Sequence, residues 1–223
     1  MYSCLKQLKN EQGGAVELQF ASSDSEKKNI MIWNKAIYRP IKSNFLSKND
    51  IRTKGLQKPD GLIIHWTGTT ESIAQVWAYF NMSVTERRNA NPKAPASSAH
   101  FVIDRDGTTI QMIDTEAMAF SVDGHTFDGK RISVEVIATP KNPLFSQEQI
   151  DTCGSLLGWL NLQFGTPIKL AKDKTDSGLS YHRMYSKTEC PGQKNINSMA
   201  KIIDAAKKAV QINPPEIFPI NYE

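Results

Sequence analysis

The chain has 223 residues, 39% of them hydrophobic and 22% charged, with 13 glycines. These values fit one folded domain with appendages and exclude a disordered or fibrous chain. The three cysteines, Cys4, Cys153 and Cys190, are an odd number and exclude a closed disulfide framework. The net charge of +4 is uneven: residues 1–57 hold ten Lys or Arg against five Asp or Glu, the remainder seventeen against eighteen.

In the opening stretch "MYSCLKQLKNEQGG", lysines fall where a signal peptide carries its apolar run, and no apolar run precedes Cys4. Nowhere do about 18 apolar residues follow one another. The sequence therefore predicts no standard secretory signal, lipoprotein anchor or membrane span. The expectation is a cytoplasmic protein, or one released by lysis or delivered by a non-classical route. The +5 balance of residues 1–57 suits attachment to an anionic polymer such as a wall teichoic acid, against the alternative of a solvated extension with no partner. A nucleic-acid partner is not expected, because the segment lacks interleaved aromatic and basic residues and the rest of the chain is slightly acidic. Within the segment, "SSDSEKKN" reads as a polar loop and "IMIWNKAIY" as an apolar piece packed on the main domain.

Regular elements begin near residue 58. Leu62 to Ile64 read as an inner strand that runs into His65, Trp66 and the turn residues behind them. A helix follows from Glu71 to about Met82, with Ile73, Val76, Trp77 and Phe80 on one face. The loop "NANPKAPASSA" leads into "HFVIDRDGTTIQMI", two apolar runs joined across Asp-Gly, which is a hairpin signal. "RISVEVIA" reads as a further strand. Ser146 and Gln149 form a capping box for a helix that carries Ile150, Cys153, Leu157, Leu160 and Phe164 on one side and stops at Gly165 and Pro167. A last helix spans about Asn197 to Val210, with Met199, Ile203, Ala206 and Val210 in phase, before "NPPEIFP". The expected fold class is α/β, a central mixed sheet flanked by helices. Its domain limits are a basic extension over 1–57, a main domain over 58–210 and a Pro-rich tail over 211–223.

Two stretches carry candidate chemistry. His65 stands at the carboxyl end of an inner strand, where open α/β sheets bind ligands; the alternative is a histidine satisfied by a backbone carbonyl at the sheet rim. In "YHRMYSKTECPG", His182 precedes Cys190 by eight positions, and neither lies on an apolar periodic face. Two imidazoles and a thiolate suit zinc, and three protein ligands leave the open fourth position of a catalytic site. Cys4, in the terminus, and Cys153, on the apolar helix face, are poor fourth ligands.

With these stretches in order, "LIIHWTG", "SSAHFVIDRDGTTIQMI", "RISVEVI" and "YHRMYSKTECPG", the chain resembles the zinc-dependent N-acetylmuramoyl-L-alanine amidases over about residues 58–205. That family includes phage T7 lysozyme and the peptidoglycan recognition proteins. The resemblance implies a mixed sheet with helices around it and one zinc ion held by His65, His182 and Cys190. It implies hydrolysis of the amide between N-acetylmuramic acid and L-alanine in peptidoglycan or a muropeptide. Glu135 matches a carboxylate that serves as general base in some branches, and a carboxylate in an apolar strand needs a polar site to point into. Thr188 is placed to donate a hydrogen bond to the developing oxyanion, with Lys187 beside it. On the substrate side, Trp66 and Phe120 would line the groove and His100 would support it.

There are departures from the family pattern. Ala99 stands where the phage-lysozyme branch has tyrosine, and "AFSVDG" replaces a Trp-His pair, leaving His125 nearby as a solvated loop residue. Turn chemistry accounts for Asp104 and Asp106. The alternative reading is a non-catalytic peptidoglycan-binding protein, a role some family members have; the presence of Cys190 favours the enzyme.

Overall fold

The computed structural model describes residues 33–41, 58–68, 72–94, 96–115, 117–122 and 126–212. The polar loop, Cys4, Glu71, His125 and the tail after residue 212 lie outside the described residues. Six strands form one sheet: β1 (Ile37–Tyr38), β2 (Gly61–Trp66), β3 (Phe101–Ile103), β4 (Thr109–Gln111), β5 (Arg131–Val136) and β6 (Gly178–Tyr181). Their order is β1-β4-β3-β5-β2-β6, with β3 and β4 antiparallel and every other pairing parallel. The helices are α1 (Ile73–Asn81), α2 (Val84–Ala90), α3 (Gln147–Phe164), the single turn α4 (Gln193–Ile196) and α5 (Met199–Ile212). Among the described residues no helix is long and apolar enough to cross a membrane.

Side chains alternate across a strand, and this alternation organises the molecule. Leu62, Ile64, Phe101, Ile103, Ile132, Val134, Val136 and Leu179 face α3 and α5 and bury Ile150, Cys153, Leu157, Leu160, Met199, Ile202 and Ala206 in one core. Glycine is required where these two helices touch, because a Cβ on Gly154 would overlap the Ala205 methyl. Val102, Ile110 and Ile137 join the core on the other face, where α1 contributes Val76 and Phe80. The strand "RISVEV" is therefore not uniformly apolar. Arg131, Ser133 and Glu135 share the α1 face, and Ile132, Val134 and Val136 share the α3 face.

The apolar piece near residue 33 belongs to the sheet. β1 pairs with β4, and Trp33 is buried edge-on against Phe101, ring centroids 5.9 Å apart, while its amide donates to Gln111 Oε1 at 3.0 Å. Element ends shift by a few residues from the sequence reading. The first helix begins at Ile73 with Ser72 as its cap, and the last begins at Met199. Several short elements were not anticipated, among them the single turn α4 and the 3-10 turns Asp128–Lys130 and His182–Met184. β6 forms on the free side of β2, and α2 is a short helix with its own capping box, in which Ser83 Oγ accepts from the Glu86 amide and Glu86 accepts from the Ser83 amide.

Candidate active site

β2 and β5 run side by side in parallel, and their register sets His65 next to Glu135 on the α1 face. His182 enters from the neighbouring edge, at the first position of the 3-10 turn His182–Met184 that follows β6. Cys190 arrives at the end of the loop beyond it. One ligand atom each from His65, His182 and Cys190 lies within 4.8 Å of the others. The two Nδ1 atoms are 3.1 Å apart, with ring centroids at 4.6 Å. The thiol sulfur accepts a hydrogen bond from the Trp66 amide at 3.3 Å.

Burial governs the protonation of this cluster. It holds His65 well below the ordinary imidazole value, and the charge on His182 pushes the same way. His182 is lowered too, by burial, against the opposing charge of Asp128. Both rings are therefore neutral at pH 7 and offer lone pairs. Burial raises the Cys190 thiol, and the charge on Glu135 raises it further; the Trp66 amide and Arg183 pull the other way. Glu135 is pushed up to about 8 by burial, and its Oε2 is shut off from solvent with no hydrogen-bond partner.

These residues fit a zinc ion. Two imidazole nitrogens on one tetrahedral zinc, each about 2.0–2.1 Å from it, stand about 3.3 Å apart, close to the 3.1 Å found here. The rim alternative for His65 fails, since its Nε2 is buried without a partner and its Nδ1 meets His182 instead of a carbonyl. A cation between these groups would draw the thiol proton off, as coordination does generally.

Beside Glu135 opens a cavity of about 570 Å³, lined also by Thr67, Gln75, Val76, Tyr79, Phe80 and Ser97. None of these six was named as a site residue from the sequence, which reads Val76 and Phe80 as core positions of the helix. Gln75 and Tyr79 are four apart on α1, but an exposed polar helix position reads the same whether it meets a groove or bulk water. Thr188 is half-buried, and its Oγ1 accepts from the Cys190 amide at 3.2 Å, which leaves its own proton free to donate. Lys187 is exposed on a shallow concavity of about 460 Å³ formed by residues 183–189.

Two expected groove residues sit elsewhere, and a third is wholly buried. Trp66 follows His65 by one position and so faces the opposite side of the sheet, packed on the α3 core and under Gly192. Gly192 has φ +87°, and a Cβ there would stand 3.3 Å from the indole. Phe120 packs into the α1 core instead of lining the cavity. His100 has no exposed surface. Its Nδ1 accepts from the Ser133 amide at 3.0 Å and its Nε2 donates to the Ala117 carbonyl at 2.9 Å, with burial bringing its pKa down to about 4. It is placed to hold β5 through the Ser133 amide, two residues before Glu135. Asp128, unremarked in the sequence, is buried and accepts from the Ser121 and Val122 amides and the Ser121 hydroxyl, which ties the 121–122 segment down next to His182.

A mixed sheet with helices on both faces is the fold of the T7-lysozyme-like amidases. The chain belongs to the N-acetylmuramoyl-L-alanine amidase family, whose sequence profile matches residues 55–193, more than half of its length. Solved structures share the fold at low identity. The Staphylococcus aureus hydrolase AmiA, solved with its ligand, is 13% identical with a TM-score of 0.57, the match covering 83% of this chain and 89% of that one. A mutant endolysin from Bacillus subtilis is 19% identical with a TM-score of 0.51, over 77% and 97%. Peptidoglycan recognition protein-LE, in complex with tracheal cytotoxin, is 16% identical with a TM-score of 0.53, over 75% and 93%. No curated protein sequence matches the chain.

Proposed function

We propose that this protein is a zinc-dependent N-acetylmuramoyl-L-alanine amidase, cleaving the amide that joins the lactyl group of N-acetylmuramic acid to the L-alanine of the stem peptide. The observation that carries this is the meeting of His65, His182 and Cys190 within 4.8 Å, next to a buried carboxyl on the adjoining strand. His65, His182 and Cys190 would hold one zinc ion, which supplies Lewis acidity toward the carbonyl and makes water more acidic.

The chain's own groups account for the proton movements. Burial alone would keep Glu135 protonated at pH 7; ionised beside the positive charge of a bound metal, it would take a proton from the attacking water and deliver it to the departing L-alanine nitrogen. The Thr188 hydroxyl donates to the carbonyl oxygen as negative charge grows there. Water adds across the C–N bond, leaving a carboxylate on the lactyl group and a free amine on the peptide. Thr67, Gln75, Tyr79 and Ser97 line the cavity that receives the substrate next to Glu135, with Lys187 on the loop beyond. In this reading residues 58–210 carry catalysis, and the basic charge of residues 1–57 attaches the protein to an anionic wall polymer.

A recognition protein that binds the wall without cutting it has no use for a thiolate ligand or a proton-accepting carboxyl, so Cys190 and Glu135 favour hydrolysis. Glycoside cleavage uses two carboxylates flanking the bond, and among the described residues Glu135 is the one carboxylate in the cavity lining. Digestion of purified peptidoglycan should therefore release L-alanine amino termini in step with falling turbidity, without new reducing ends, and phenanthroline should stop it until zinc is restored. Reducing ends without amino termini would refute the amidase, and binding without either product would turn the assignment to recognition.

A further inference from the structure

The loop from His182 to Cys190 has to bring two proposed ligands together from its two ends, and beyond the opening 3-10 turn it has no regular structure. One side chain spans it. Arg183, covalently next to His182, folds its guanidinium back across the loop. Its Nε donates to the Thr188 carbonyl at 3.0 Å. One Nη2 donates to the Glu189 carbonyl at 3.0 Å and to Glu189 Oε2 at 2.9 Å, and Nη1 reaches Gln193 Oε1 at 3.0 Å. Two of these acceptors are the carbonyls of the two residues just before Cys190, and the Gln193 contact lies just beyond it.

The far side of Cys190 is held separately. Asn195, buried, donates to the Pro191 and Pro143 carbonyls and accepts from the Phe145 amide. The near side relies on Arg183, together with Thr188, whose Oγ1 accepts from the Cys190 amide, and Tyr185, whose hydroxyl lies 2.9 Å from Ser180 Oγ and pins the turn onto β6.

We propose that Arg183 is a positioning residue that braces the His182–Cys190 loop so that both ligands are in place before a metal binds. The proposal rests on the zinc reading of the cluster. Its physical basis is preorganisation: without the brace, binding has to pay for ordering the loop. A planar guanidinium with donors in a fixed fork reaches four acceptors on three residues at once, which a lysine ammonium on a flexible stem does not. The Glu189 carboxylate is the dispensable arm, because its side chain is 92% exposed and a solvated ion pair adds little.

Zinc titrated against a chromophoric chelator tests this in four proteins: wild type, Arg183→Ala, Arg183→Lys and Glu189→Gln. Both Arg183 variants should bind zinc about 10- to 100-fold more weakly, the range seen when residues supporting metal ligands are removed, with Glu189→Gln close to wild type. Cobalt loaded in place of zinc supplies a second readout. The visible bands of the Arg183→Lys protein should shift or broaden as the thiolate is held less firmly, while the metal-free proteins melt alike.

Arg183→Lys keeps the positive charge and is the decisive variant if Arg183→Ala does not fold. Wild-type zinc affinity and an unchanged cobalt spectrum in Arg183→Lys overturn the proposal. So does a variant whose metal-free and loaded forms are destabilised equally, since that is a purely structural role. A wild type that takes up no zinc overturns the metal reading and the brace with it; a wild type that binds zinc beside an Arg183→Lys that binds equally well overturns the brace alone.

Discussion

Replacing Glu135 by glutamine should stabilise the metal-free protein while removing its activity, and the size of the first effect follows from the burial of the carboxyl. The ordinary glutamate value of 4.5 is raised to about 8 in the fold. Between those two pH values the folded protein keeps a proton that the unfolded chain gives up, so wild-type stability falls as pH rises. Each pH unit costs about 1.4 kcal/mol, so about two and a half units from 4.5 to 7 cost about 3 kcal/mol. Glutamine has no proton to lose. In chelator, the variant should match wild type at pH 4.5 and exceed it by about 3 kcal/mol at pH 7. Urea unfolding followed by circular dichroism at several pH values between 4.5 and 7 measures the difference, in which the shared titration of His65 and His182 cancels. Two stability curves that stay parallel across this range would refute the burial argument. Turnover by the same variant should drop about 100-fold or more, and a near-normal rate would remove Glu135 from the reaction.

Cys190→Ala should lose the zinc that the wild type holds, because it removes one of three ligands, and elemental analysis showing full zinc in the variant would dismiss the site. Deleting residues 1–28 should leave cleavage of soluble muropeptides intact and weaken action on whole walls, by less as salt rises, since 1 M salt screens exposed charges within about 3 Å; a deletion that unfolds the protein would refute the attachment role. Trp33→Ala should cost about 3–5 kcal/mol in a chemical unfolding experiment, as for other buried aromatic truncations, and a loss under about 1 kcal/mol would mean that the β1 segment contributes little to the domain.

The strongly patterned parts of the fold could be read from the sequence. The Ser146–Gln149 capping box forms in both directions, the Asp-Gly hairpin becomes β3 and β4, and the two stretches that end in His65 and hold His182 and Cys190 meet as expected. The misses have physical causes. α2 is short and polar, and it is held by Arg87, buried in its middle and bonded to the Ser97 and Phe80 carbonyls, so no apolar period announces it. β6 opens on a glycine with φ +112° and becomes a strand by pairing with β2, a non-local event. Trp66 was misplaced because neighbours on a strand face opposite ways. If His65 points into the site, Trp66 cannot, and the same parity separates Arg131, Ser133 and Glu135 from the valines and isoleucine between them.

β1 lies upstream of residues 55–193, the part shared with the family. Loss of β1 and the residues before it would strip the outer side of β4, baring main-chain donors and acceptors at Ile110 and Gln111, and would take away the Trp33 indole that packs against Phe101. An uncovered strand of this kind is a template on which another copy can add itself. The short β1 strand therefore does for β4 what a longer neighbour would do, occupying main-chain groups that would otherwise be open to pairing.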